Sequence, residues 1–252
     1  MVPRFAGRVV LVTGASRGLG KSLAKAFAAE GAFVVVTART ETQGQSKLPG
    51  TIHDTVAEIR RAGGDGVALR CDMTSEEDVE AMVARAWDER GRVDVLVNNA
   101  GILVARPTMD LPVRHAELMF RVNVFGPLYA CRAVARRMVE RGSGNILNIT
   151  AHAATNDVAA ISVYGATKAA LNRLTVGLAT ELAPFGVAVN ALGPGLVETE
   201  GARFLRPPGA PTPPGFAPMD TVHEPALYLA EQGPSGMTGR VVEVWDWQRS
   251  WP

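Results

Sequence analysis

Short apolar runs rich in β-branched residues alternate along the chain with longer segments whose apolar positions recur at helical spacing. Such runs predict strands that are buried on both faces, and the segments between them predict helices that bury one face. Strands are predicted at 8–13, 33–38, 66–71, 94–98, 145–150, 186–190 and 240–245. Helices are predicted over 18–30 and 51–61, and the polar Thr74 and Ser75 before three acids predict another helix start.

Strands that alternate with helices in this way favour an α/β fold with a doubly wound parallel sheet of about seven strands. The chain of 252 residues contains no internal repeat and no linker-like boundary, so we expect one domain over 1–252. The segment 201–218 breaks the pattern because it is too rich in proline for an interior helix or a central strand. We expect an irregular excursion there, and a substrate lid at about 200–220, since ligands of such sheets lie beyond the carboxyl ends of strands.

Charge and cysteine content exclude several classes of protein. The 26 Lys and Arg residues against 25 Asp and Glu residues leave a net charge of +1, which argues against a nucleic-acid-binding surface. Cys71 and Cys131 are too few and too far apart for a disulfide framework or a zinc site, and they suit a reducing compartment. The apolar run at 9–12 is too short to span a membrane. We therefore expect a cytoplasmic protein with no metal, membrane or nucleic-acid partner.

A glycine-rich turn joins the first predicted strand to the first predicted helix. Its sequence, Thr-Gly-Ala-Ser-Arg-Gly-Leu-Gly over 13–20, allows the backbone to approach a pyrophosphate that the helix N-terminus attracts. A simple strand-to-helix turn is the alternative. Two further polar features follow strands: Asp72, which is placed to bind an adenine amino group, and the Asn-Asn-Ala-Gly turn at 98–101.

The end of the second predicted strand bears on the choice of dinucleotide. An acidic residue there binds the ribose 2′-hydroxyl of NAD, but positions 37–40 read Thr-Ala-Arg-Thr. Arg39 and Arg17 are instead placed to bind a 2′-phosphate, which a guanidinium suits. The sequence therefore favours NADP(H), with NAD(H) less favoured.

Tyr164 and Lys168 lie four residues apart at the start of a long predicted helix, so both side chains face the same side. A phenol has an ordinary pKa near 10 and needs a nearby cation to exchange protons readily at neutral pH. An ammonium one helical turn away supplies that cation.

Together these residues resemble the short-chain dehydrogenase/reductase family. The turn at 13–20, the turn at 98–101, Asn123, the Tyr164–Lys168 pair and the run 193–199 occur in the family's order and spacing, over about 8–245. The resemblance implies a Rossmann-type fold and nicotinamide-dependent hydride transfer. It implies that Tyr164 donates the proton in carbonyl reduction, that Lys168 binds the nicotinamide ribose and lowers the Tyr164 pKa, and that Asn123 holds a water in the proton relay.

The resemblance also implies the remaining site residues. Val197 and Thr199 contact the carboxamide side of the nicotinamide, and the insertion 46–52 helps to close over the adenosine end. Relatives pair through long helices and last strands, which implies a homodimer or homotetramer. The expected cofactor-binding residues are Gly14, Ser16, Arg17, Gly18, Leu19, Gly20, Arg39, Thr40, Asp72, Met73, Asn99, Ala100, Gly101, Tyr164, Lys168, Pro194, Gly195, Val197 and Thr199.

One position departs from the family pattern. The serine that polarises the substrate carbonyl precedes the tyrosine by thirteen residues, and this chain has Ala151 there. Loss of one such donor costs about 10²–10³ in rate. Three explanations are open. In the first, a neighbouring residue replaces the serine, with His152 at the loop as the candidate catalytic donor and Thr150 and Thr155 as the other options. In the second, the chain keeps only cofactor binding, as a sensor or assembly protein, and in the third, Ala151 is an engineered substitution.

The loops around the site indicate the substrate class. They carry no ring of arginines, which argues against a highly anionic substrate. We expect an oxidoreductase that uses NADP(H) to interconvert a carbonyl and a secondary alcohol on a small-to-medium, mostly apolar molecule. The side chains expected to wall the pocket are Leu103, Val104, Leu196, Phe204, Leu205, Phe216 and Met219.

Overall fold

A computed structural model describes residues 3–206, 209–249 and 251 of the chain. Within these residues seven parallel strands form one sheet in the order β3-β2-β1-β4-β5-β6-β7, which confirms the expected Rossmann-type α/β fold. The strands are β1 Val9–Thr13, β2 Phe33–Ala38, β3 Asp65–Arg70, β4 Val95–Asn98, β5 Gly144–Ile149, β6 Val187–Gly193 and β7 Val241–Glu243.

Helices cover both faces of the sheet and form two apolar cores. One core packs α1, α2 and α8 against the sheet, and the other packs α3, α5 and α6 against the opposite face. None of the helices in the described ranges is long and apolar enough to cross a membrane. The helices are α1 Gly18–Ala29, α2 Ile52–Arg61, α3 Glu76–Arg90, α4 Val113–Phe120, α5 Gly126–Arg141, α6 Ser162–Leu182, α7 Glu200–Phe204 and α8 His223–Glu231.

The strand order places a crevice at the carboxyl ends of the central strands. The chain leaves β1 towards β2 on one side, and β4 lies on the other side of β1. The two connections that follow β1 and β4 therefore diverge over opposite faces of the sheet. In a doubly wound sheet this switch point is where a ligand binds.

The structure corrects the expected boundaries at the C-terminal end of the sheet. Strand β6 continues three residues beyond 190, because all of Val187–Gly193 is buried between β5 and β7. Strand β7 is shorter than the expected 240–245 and ends at Glu243, where a 3₁₀ turn, Val244–Asp246, begins.

The proline-rich excursion is also more ordered at its start than expected. Helix α7 forms there because Thr199 caps it by accepting a hydrogen bond from the Ala202 N–H, and it ends before the prolines. Further along, Ala217 pairs with Val197 in an isolated parallel bridge, and its N–H donates to the Leu196 carbonyl at 2.8 Å. The segment therefore returns to the end of β6.

Candidate active site

A cavity of about 440 Å³ opens at the carboxyl ends of β1 to β6. It brings together nearly all of the expected cofactor-binding residues with the Tyr164–Lys168 pair. The expected residues that line it are Gly14, Ser16, Arg17, Gly18, Leu19, Gly20, Arg39, Thr40, Asp72, Met73, Asn99, Ala100, Gly101, Tyr164, Lys168, Pro194, Val197 and Thr199. Gly195, Asn123 and His152 are not among the lining residues.

The glycine-rich turn is pressed against the loop that follows β4. Gly14 has a φ of +66°, and a Cβ there would lie 2.7 Å from the Ala100 Cα. A Cβ on Gly20 would lie 2.3 Å from Asn99 Nδ2 and 2.5 Å from the Gly14 carbonyl oxygen. The backbone N–H groups of Asn99 and Ala100 both donate to Thr13 Oγ1 at 3.1 Å. Only glycine fits this turn, and polar bonds hold it rigid.

The N-terminus of α1 is left free to bind an anion. Within the described residues no side chain caps α1 at its N-cap residue, Arg17, whereas Thr51 and Ser75 cap α2 and α3. The unpaired N–H groups of a first helical turn and the helix dipole attract a phosphate. A glycine cradle with an uncapped helix fits the pyrophosphate of a dinucleotide.

The two arginines expected to bind a 2′-phosphate differ in what they contact. The Arg39 side chain is 58% exposed, and its guanidinium lies 3.9 Å from the Asp72 carboxylate. The Arg17 guanidinium donates to the Thr40 hydroxyl at 3.2 Å and to carbonyl oxygens of the 46–52 insertion at 2.9 Å. The insertion also contributes Leu48 to the cavity. Arg39 is therefore the more available cation, while Arg17 holds the insertion over the cavity.

The Asp72 carboxylate, expected to bind an adenine amino group, is already in contact with other protein groups. Its Oδ1 accepts from the Thr74 N–H at 2.9 Å and from the Thr74 hydroxyl at 2.8 Å. Partial burial acts to raise its carboxyl pKa, but the Thr74 hydrogen bonds and the charges of Arg39 and Arg70 outweigh this and lower it. Its second oxygen faces Arg39.

Tyr164 and Lys168 share one face of the first turns of α6, as their spacing indicates. Lys168 is 4% exposed, and its Nζ donates to the Ile149 carbonyl at 2.9 Å and lies 5.9 Å from the centre of the Tyr164 ring. Burial lowers the Lys168 pKa to about 8. Burial raises the Tyr164 pKa to about 12, opposite to the expected lowering. Desolvation of the phenol explains the direction, because burial disfavours its charged form.

Asn123 lies in a π-helical turn, Arg121–Phe125, between α4 and α5. Its side chain is fully buried and donates to the Ile102 carbonyl at 2.9 Å and to the Thr167 hydroxyl at 3.0 Å. Its Oδ1 accepts from the Ile102 N–H at 2.9 Å. Both amide hydrogens are used, so the side chain ties the loop after β4 to α6 rather than facing the cavity.

The three neighbours of Ala151 have separate surroundings. Thr150 lines the cavity, but its hydroxyl donates to Asn172 Oδ1 at 2.5 Å. Thr155 is exposed, and its hydroxyl lies 3.4 Å from the His152 carbonyl. The His152 ring packs edge-on against Trp245 with centroids 4.9 Å apart.

Several residues at the site are not evident from the sequence. Trp245 lies against the turn after β6, because a Cβ on Gly195 would be 3.1 Å from its ring. Glu200 lies beside the glycine-rich turn: its Oε2 is buried with no hydrogen-bond partner among the residues that the structure describes, 3.5 Å from a Cβ built on Gly18. Of the side chains expected to wall the pocket, Leu103 lines the cavity while Met219 packs into the core. Neither Trp245 nor Glu200 belongs to a pattern that would have marked it.

The chain is similar in sequence to known short-chain dehydrogenases. The family model described as short chain dehydrogenase matches residues 8–208, most of the chain. The chain belongs to the short-chain dehydrogenase family. It is 32% identical to the 7alpha-hydroxysteroid dehydrogenase of Escherichia coli over 249 residues, which cover 96% of this chain and 94% of that protein. It is 34% identical to an uncharacterized oxidoreductase of Methylorubrum extorquens over 250 residues, 96% of this chain and 97% of that protein.

Solved structures of family members share the fold. A putative NAD(P)-dependent gluconate 5-dehydrogenase from Beutenbergia cavernae, crystallised with NADP at low occupancy, superposes with a TM-score of 0.85 at 32% identity, covering 98% of this chain and all of that one. The chain is thus an oxidoreductase of the short-chain dehydrogenase family, whose members include hydroxysteroid and gluconate dehydrogenases.

Proposed function

We propose that the protein is an NADP(H)-dependent oxidoreductase that interconverts a carbonyl and a secondary alcohol on a small-to-medium, mostly apolar substrate. One observation carries the proposal: a single cavity is lined both by the glycine-rich turn at the uncapped N-terminus of α1 and by the Tyr164–Lys168 pair. The first suits a dinucleotide pyrophosphate, and the second places a proton donor where the far end of such a cofactor would reach.

The preference for NADP(H) rests on the end of β2. Positions 37–40 at the end of that strand carry no carboxylate, and the exposed Arg39 guanidinium lines the cavity instead. A guanidinium binds a phosphate through charge-assisted hydrogen bonds. The NADP held by the Beutenbergia cavernae relative is consistent with this choice.

A cofactor held by the glycine-rich turn and Lys168 would supply a hydride to the substrate carbon. Tyr164, whose raised pKa keeps it protonated at neutral pH, donates its hydroxyl proton to the carbonyl oxygen. Lys168 is held by the Ile149 carbonyl, so its remaining ammonium hydrogens are available to the ribose and to the phenol. Solvent returns one proton to Tyr164, so each reduction consumes one NADPH and one proton.

The proline-rich segment acts as the lid over the substrate in this proposal. Glu198, which lies between Val197 and Thr199, accepts from Arg203 at 2.9 Å, from Arg206 at 2.5 Å and from Thr212 at 3.2 Å. One carboxylate thus joins both arms of the lid to the end of β6. The exposed side chains Leu196, Phe204 and Leu205 give the lid an apolar surface for the substrate.

We place the protein in the cytoplasm as a homodimer or homotetramer. Both cysteines are free and buried, which suits a reducing compartment. A subunit interface requires exposed apolar side chains. Such side chains are Leu118 on α4, Phe125 at the end of the π-helical turn and Val176 on α6. Light scattering coupled to size-exclusion chromatography measures the assembly, and a monomer at micromolar concentration would refute it.

A panel of ketones and aldehydes tests the activity, with NADPH consumption followed at 340 nm. We expect turnover of small-to-medium apolar ketones, lost in Tyr164→Phe with NADPH binding retained. A protein that binds NADPH but turns over no member of the panel, even as Ala151→Ser, would refute the proposal. It would support the second candidate, a cofactor-binding sensor or assembly protein, which the absence of a hydroxyl at Ala151 favours.

A further inference from the structure

The loop after β5 holds the ring of His152 in one protonation pattern. Asn156 Nδ2 lies 2.8 Å from His152 Nδ1, 3.2 Å from the His152 carbonyl oxygen and 2.9 Å from Thr155 Oγ1. One amide group therefore faces three possible acceptors, and all of them lie on a single turn of the loop.

The carbonyl oxygen fixes which way the Asn156 amide points. A carbonyl oxygen cannot donate, so the group that faces the His152 carbonyl must be the NH₂ of Asn156 rather than its Oδ1. The same NH₂ faces His152 Nδ1, which must then present a lone pair. The single proton of the neutral imidazole is therefore on Nε2, and Nε2–H is a hydrogen-bond donor.

The loop also places His152 near the start of α6. A Cβ on Gly165, the residue after Tyr164, would lie 2.5 Å from the Ala153 carbonyl oxygen, so the His152 turn and the first turn of α6 are in direct contact. On its other side the imidazole packs edge-on against Trp245, which lies over Gly195 next to the cavity residue Pro194. His152 is not itself among the residues that line the cavity, but it directly follows Ala151, where the serine hydroxyl is missing.

We propose that His152 Nε2–H donates a hydrogen bond to the substrate oxygen in place of the absent serine hydroxyl, and that Asn156 is the positioning residue that fixes this tautomer. The role rests on the proposed carbonyl reduction. His152 transfers no proton: the hydride forms the new C–H bond, Tyr164 protonates the oxygen, and His152 stabilises the negative charge that develops there.

Asn156→Asp tests the positioning role. A carboxylate in this place accepts from Nδ1–H, so the neutral ring carries its proton on Nδ1 and Nε2 becomes an acceptor. We therefore expect kcat/KM of the variant to lie about 10²-fold below the wild-type value, because Nε2 of its neutral ring no longer donates to the substrate oxygen.

Asp157→Asn is the matched control, since it changes one carboxylate on the same loop beside Asn156, and its kcat/KM should stay at the wild-type value. Charged or titratable groups also lie on the packed elements, among them Tyr164 and Lys168 on α6 and Glu243 and Asp246 next to Trp245. They are unchanged in both variants, so they cannot produce a difference between them.

Nitrogen-15 NMR of labelled histidine reads the tautomer without turnover, with the His152 signals assigned from their loss in His152→Gln. We expect a protonated Nε2 and an unprotonated Nδ1 in the wild type, and the reverse in Asn156→Asp at pH 8. A protonated Nδ1 in the wild type, or a kcat/KM of Asn156→Asp equal to that of Asp157→Asn, would overturn the proposal while leaving the carbonyl reduction intact. A wild type that reduces no carbonyl would overturn both.

Discussion

Arg39→Ala should remove much of the proposed preference for NADPH over NADH. The Arg39 guanidinium makes no hydrogen bond within the described residues, and its nearest carboxylate oxygen, on Asp72, is 3.9 Å away. All of its N–H groups are thus available to a 2′-phosphate. A hydrogen bond to a charged group contributes about 1.5–3 kcal/mol, and exposure places Arg39 at the lower end of this range.

Since about 1.4 kcal/mol corresponds to a tenfold change, we expect kcat/KM for NADPH to fall roughly 10- to 30-fold. NADH lacks the phosphate, so its kcat/KM should change by less than about threefold. The assay is steady-state kinetics with one ketone and each cofactor, supported by fluorescence titration of NADPH. Arg61→Ala removes an exposed arginine from the last turn of α2 and serves as the control. An unchanged ratio of the two cofactors in Arg39→Ala would refute the reasoning.

Three other changes have defined outcomes. Gly20→Ala should destabilise the protein by about 1–3 kcal/mol in urea unfolding, because its Cβ would lie 2.3 Å from Asn99 Nδ2, and a wild-type midpoint would contradict this. Glu200→Gln should tighten NADPH binding several-fold in titration, because it removes a buried negative charge beside the pyrophosphate site, and weaker binding would count against that site. Lys168→Met should abolish turnover. Relative to the wild type, it should also raise the free energy of unfolding by about 2–3 kcal/mol more at pH 7 than at pH 10.5. The Lys168 pKa falls from 10.5 to about 8 on folding, so the cost of burying its ammonium is present at neutral pH and disappears as the pH rises through this window. Equal effects at both pH values would contradict it.

The sheet and the cofactor crevice follow from local patterns. Strands such as β2, Phe33–Ala38, are apolar on both faces and have the predicted bounds, and the glycine turn lies where a strand meets a helix. The end of the sheet was harder to predict because its limits depend on tertiary contacts. Strand β6 extends to Gly193 through pairing with a distant strand, and β7 stops early where Trp245 turns onto Gly195.

The sequence predicted which residues form the site but not their pKa shifts or their hydrogen-bond partners. The spacing of Tyr164 and Lys168 places them on one face, yet the direction of the Tyr164 pKa shift depends on burial by segments far along the chain. The Arg17 guanidinium turns towards the 46–52 insertion because carbonyl oxygens are presented there, which no local pattern encodes. The 2.8 Å contact between Asn156 Nδ2 and His152 Nδ1 likewise depends on the fold of the loop, which no sequence pattern encodes.

Hydride transfer in this cavity is tested most directly with NADPH deuterated at both C4 positions and a ketone that the protein reduces. We expect one deuterium on the carbinol carbon of the product alcohol, detected by mass spectrometry, and no labelled alcohol from Tyr164→Phe. An alcohol that forms without deuterium at that carbon, or a variant without the phenol that forms it at the wild-type rate, would contradict the assignment of hydride transfer to this cavity.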